Sequence, residues 1–150
     1  SSYTVAGAAF SALIDVDDRA ALSWLPELKK DARGSLAAAV RKAELLTRTE
    51  SDFEEVCNQI SGSELFEKLN NLSGFISYLK HINDVENFRK GIDLALKITD
   101  EILVISPHQK QKTLEALVRI RETKIEKKRQ GINTDAMQAQ ILILDEILKT

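Results

Sequence analysis

The 150-residue sequence holds one cysteine, Cys57, two prolines, six glycines and two histidines. One cysteine rules out a disulfide framework within the chain, so nothing argues for an oxidising compartment and a cytoplasmic setting is expected. Cys57 with His81 and His108 is too small a set for a Cys/His zinc site, and neither a metal nor a cofactor is expected. No apolar run approaches the roughly 18 residues of a membrane span. The segment Ser1–Ile14 is apolar but lacks a preceding basic stretch, so it does not read as a secretory signal. The first residue is Ser1 rather than Met, which is expected of a processed or excised chain.

Catalytic motifs are also missing. There is no G-x-x-x-x-G-K-[ST], G-x-G-x-x-G, H-E-x-x-H or G-x-S-x-G. Asp15-Val-Asp17-Asp18 starts like a calcium loop, but the sixth position is Ala20 where glycine is needed and the twelfth is Pro26 where glutamate is needed. These acids are expected to cap helices. Cys57 lies on the apolar side of its segment beside Val56 and reads as an inert thiol. His81 and His108 fall near helix boundaries and lack the small residues and Lys-Gly that a phosphotransfer histidine needs around it. The chain is expected not to be an enzyme. An unmarked site would need acids such as Glu54, Glu55 or Glu67 to converge on a histidine.

What is present is a globular composition, 43% hydrophobic and 29% charged, with a net charge of −2. That charge argues against a protein that binds nucleic acid with its whole surface. Apolar residues recur every three to four positions, the helical period, and strand-like alternation is absent. The pattern predicts an all-α antiparallel bundle of about six to seven helices. A short apolar segment covers Tyr3–Ile14, and Asp15, Asp17 or Asp18 caps a helix through Trp24. Pro26 is placed in the first turn of a helix that runs to Arg48 despite Gly34. Ser51-Asp-Phe-Glu54 has the form of a capping box. Ser63, Asp84, Ser106-Pro107 and Asn133 or Thr134 open the remaining helices. Ile102–Ile105 could be a short strand, but the helical period runs into it from Val85. The capped starts show no fixed spacing, so a solenoid is not expected.

Composition changes along the chain. Residues 1–48 hold 11 Ala, one Ile and no Asn, whereas residues 49–150 hold 4 Ala, 13 Ile and 6 Asn. A single domain over 1–150 is expected, with an Ala-rich subdomain or fused module over 1–48 as the alternative.

Two features point to partners. Between Pro107 and Gln130 lie eight Lys and Arg against Glu115, Glu122 and Glu126. At 100° per residue, Lys110, Arg121, Lys124 and Lys128 share a sector with Leu114 and Leu117. The apolar stripe therefore turns basic after residue 120, which predicts a helix end that leaves the core. Arg119, Arg121, Lys124, Lys127, Lys128 and Arg129 become candidates for an acidic partner or for phosphate groups. Second, the C-terminal segment is apolar around more than half its circumference, through Met137, Ile141, Leu142, Ile143, Leu144, Ile147 and Leu148. A surface helix needs only a stripe, so this helix is either central or meets another chain. The expected function is a non-catalytic protein-interaction module, an adaptor, regulator or assembly subunit, that binds a partner or a second copy. Nucleic-acid binding through 119–129 is the alternative.

Overall fold

The computed structural model describes residues 2–149, and among them all regular structure is helical. There are eight α-helices, α1 Ser2–Val16, α2 Asp18–Leu28, α3 Gly34–Leu45, α4 Phe53–Ser61, α5 Leu65–Leu79, α6 Val85–Ile102, α7 Gln109–Arg129 and α8 Thr134–Leu148. The count exceeds the expected six to seven because both short N-terminal segments are complete helices. The chain forms two compact units, divided between Thr49 and Glu50.

In the first unit, Asp17 ends α1 and caps α2, its Oδ1 accepting the Ala20 N–H at 3.1 Å. The helix expected over 26–48 is broken. Pro26 lies inside α2, two residues before its end, not in a first turn. Its missing N–H weakens that last turn, and a 3-10 turn at Lys29–Asp31 follows. Ala32 and Arg33 are extended, and Gly34 takes a φ of +54°, a left-handed conformation that costs other residues about 1–2 kcal/mol. Phe10, Ile14, Ala21, Leu25, Leu36, Ala39, Val40 and Ala43 form this unit's core. Gly7 sets how closely α1 approaches α3, because a Cβ there would stand 2.4 Å from the Ser35 carbonyl carbon. Lys42 is buried, and its Nζ donates to Asp15 Oδ1 at 2.8 Å and Ser11 Oγ at 3.2 Å. That ion pair also ties α3 to α1.

In the second unit, α5 packs on α6 and α7 on α8, while α7 also touches α5 and α6. Phe75, Phe88, Leu72, Leu79, Ile92, Ile98 and Leu117 are fully buried. Asp84 caps α6 as its position predicts, Oδ2 accepting the Asn87 N–H at 2.9 Å. Three other starts are displaced. Ser51 and Asp52 lie in a 3-10 turn, and α4 begins at Phe53. Ser63 closes α4 instead of opening α5, its hydroxyl donating to the Ile60 carbonyl at 2.7 Å. The Ser106-Pro107 pair lies in the turn before α7, which begins at Gln109. The run Ile102–Ile105 is no strand, because α6 ends at Ile102 and the next three residues turn.

Candidate interaction surface

Helix α7 holds apolar residues at Leu117 and Ile120, both buried, and the next position of that face is Lys124. The helix does not leave the core at residue 120 but keeps to it as far as Lys124. Lys124 is fully buried, with its Nζ donating to the Ile82 carbonyl at 2.8 Å and standing 5.0 Å from the centre of the Phe88 ring. The long lysine stem fills core space while the nitrogen reaches a backbone acceptor and an aromatic face. Burial pushes its pKa down from 10.5 to about 7, with the Lys127 charge adding to the fall and Glu50 opposing it.

Lys124 belongs to a polar knot that fastens the α5–α6 connection. Glu50 Oε1 accepts the backbone N–H groups of Asn83 and Asp84 at 2.8 and 2.6 Å. Gln140 of α8 is fully buried and donates from Nε2 to the Asn83 carbonyl at 2.8 Å. Its Oε1 is buried without a hydrogen-bond partner among the described residues. Three elements distant in sequence thus hold one short connection. Glu50 and Gln140 carried no signal of their own. Lys124 did, since it follows Leu117 and Ile120 at core spacing.

The other expected cations take separate partners along α7. Arg121 Nε pairs with Asp145 Oδ1 at 2.5 Å. Arg129 pairs with Glu126 at 2.9 Å, and Lys128 donates to Gln138 Oε1. Arg119 is exposed and Lys127 half-buried. Of these cations, Arg121 and Arg129 are matched by carboxylates and Lys128 by a neutral amide.

The apolar set on α8 is divided by its own unit. Met137, Ile141, Ile143 and Leu144 are buried against the chain's other helices, so these four are core and not a free surface. Ile147 and Leu148 are half-buried. Leu142 stands 56% exposed, and Val118 on α7 stands 43% exposed. These two line a groove between α7 and α8, closed by Leu148 and rimmed by the Arg121–Asp145 pair, Glu146 and Lys149. The helix is thus central on one side and open on the other.

Little else suggests chemistry. Among the described residues no three His, Cys, Asp or Glu side chains gather where they could hold a metal, and no helix is long and apolar enough to cross a membrane. Cys57 is half-buried, and burial together with the Glu54 charge raises its pKa to about 11 against a smaller pull from Lys90. Such a thiol is protonated near neutrality and a poor nucleophile. No protein-family model matches the chain, nor does any curated protein or solved structure, so its function is read from its own side chains.

Proposed function

We propose that residues 50–149 act as a non-catalytic helical interaction module, an assembly subunit that docks a second copy of the chain across the α7–α8 groove. The observation that carries this reading is the pair Val118 and Leu142, exposed side by side on a helix pair whose neighbouring apolar positions are buried. Apolar surface gathered in one place, ringed by polar groups, is characteristic of a docking site. The charges on the rim select the occupant. Arg121 and Asp145 already satisfy each other. Glu146 and Lys149 have no side-chain partner among the described residues, and they stand three residues apart, Glu146 in the last turn of α8 and Lys149 just after it. A two-fold axis over the groove brings each Lys149 towards the other copy's Glu146, because a symmetric interface is self-complementary. A strongly acidic or basic partner gains nothing from this balanced rim.

Light scattering across a dilution series tests the proposal. The wild type is expected to be a dimer that dissociates on dilution. The double variant Val118→Asp, Leu142→Asp is expected to be monomeric with a Tm within a few degrees of wild type, since exposed substitutions cost roughly ±0.5 kcal/mol. The adjacent substitution Ile143→Asp is expected to unfold the unit, because it buries an unpaired carboxylate where Ile143 is 4% exposed. A wild type that is monomeric at every concentration, or a dimer that survives the double substitution, overturns the proposal.

A further inference from the structure

A second cleft, of about 310 Å³, opens where α6, α7 and the end of α8 meet. This lies at the small end of the range for ligand pockets, about 300–1,000 Å³. Its lining is ordered by the way the chain folds back. On α6 the sequence runs Leu96, Thr99, Asp100, and on α7 it runs Lys110, Thr113, Leu114, so each helix offers an apolar residue, a threonine and a charge on one face. Residues 103–108 turn the chain back, and Thr99 Oγ1 meets Thr113 Oγ1 at 2.9 Å. This pairing puts Asp100 and Lys110 at the end near the turn. Leu96 and Leu114 fall towards the other end, and Ile147 and Leu148 of α8 supply a further apolar wall. The cleft is therefore polar at one end and apolar at the other.

The polar end can be read in more detail. The Thr99 hydroxyl donates to the Ala95 carbonyl at 2.8 Å, so its proton is committed. Thr113 must then donate to Thr99, and Thr113 in turn accepts from Gln109 Nε2 at 3.3 Å. Both hydroxyl protons are used, and the two oxygens have only lone pairs left to offer. Beside these acceptors stand an acid and a base, Asp100 and Lys110. Among the described residues, neither side chain has an ion-pair or hydrogen-bond partner.

We propose that this cleft binds a free α-amino acid with a branched apolar side chain. The ammonium group pairs with Asp100 at the mouth of the cleft, in front of the buried threonine pair. The carboxylate pairs with Lys110. The side chain lies between Leu96, Leu114 and the α8 wall. A ligand with one charge leaves either Asp100 or Lys110 unmatched, and a purely apolar ligand leaves both.

The test is an amide chemical-shift titration with L-leucine, isoamylamine and isovalerate, which share the branched chain but carry both charges, the cation alone and the anion alone. Leucine is expected to give saturable shifts confined to the lining residues. Each singly charged analogue is expected to bind at least about tenfold more weakly, the usual effect of losing a hydrogen bond to a charged group. Asp100→Asn and Lys110→Gln change exposed residues and keep the fold, and each is expected to weaken leucine binding by about tenfold. Asp100→Asn is expected to leave isovalerate binding unchanged. No saturable shift at about 10 mM leucine overturns the proposal, since that corresponds to negligible affinity. So does isoamylamine or isovalerate binding as tightly as leucine. Neither variant touches the α7–α8 groove, so this result and the dimerisation result stand apart.

Discussion

Gly7→Ala is expected to unfold residues 2–49 under conditions where the wild type is folded. A Cβ at position 7 would lie 2.4, 2.6 and 2.7 Å from Ser35 C, Ser35 O and Leu36 N. All three are backbone atoms at the start of α3, so no rotamer change relieves the overlap. The helices must separate, which loosens Phe10 and Ile14 against Leu36, Ala39 and Ala43 and strains the Lys42–Asp15 pair. Overpacking of this kind costs about 1–3 kcal/mol or more. A unit of this size has roughly 2–7 kcal/mol in total, at about 0.05–0.15 kcal/mol per residue. The substitution therefore removes much of the stability present. Hydrogen exchange of the α1 and α3 amides measures it, with Ala8→Ser, an exposed neighbour, as the control. Unchanged protection in Gly7→Ala would show that α1 and α3 do not cross so closely.

The second large effect is a pH dependence that Lys124→Met removes. An unfolded lysine keeps its proton to about pH 10.5, whereas Lys124 in the folded chain releases it near pH 7. Between those values the unfolded state binds more protons, so stability rises with pH, and the contribution is lost as pH falls towards 7. From pH 7 to 9 the rise amounts to about 2–3 kcal/mol, at about 1.36 kcal/mol per unit. Above pH 9 the Cys57 thiol acts in the opposite sense, because its folded pKa is about 11 against 9.0, so the useful window is pH 6–9. Methionine fills a similar volume without a charge but leaves the Ile82 carbonyl without its donor, a cost of about 1–3 kcal/mol. The variant is expected to match or exceed wild type near pH 6 and to fall below it near pH 9. Urea unfolding of both proteins across the window tests this. Parallel curves would mean that Lys124 does not titrate in the folded state.

Both effects arise at residues whose surroundings the sequence did not disclose. Gly7 is one small residue in an Ala-rich helix, and nothing local says that Ser35 lies against it. Lys124 belongs to a stretch rich in cations, and the expectation of a projecting helix followed from counting charge. Its spacing from Leu117 and Ile120 was the better guide, because a four-carbon stem can occupy a core position when its nitrogen finds an acceptor. The α8 face shows the same limit. Its hydrophobicity was evident, but which residues it spends on the core depended on where α6 and α7 lie.

Helical class, the cap at Asp84 and the start of α8 at Thr134 were determined by the sequence alone. The helical class rests on the 3.6-residue period and the α6 start on the Asp84 side chain that accepts a nearby backbone N–H, whereas α8 starts after the left-handed Gly131 and Asn133 with no side-chain cap. Only the tertiary structure decided that Lys124 and Gln140 grip the α5–α6 connection. It also decided that Asp100 and Lys110 flank one cleft. These outcomes depend on contacts between residues far apart in the chain, and periodicity records spacing along a helix without recording what lies opposite it.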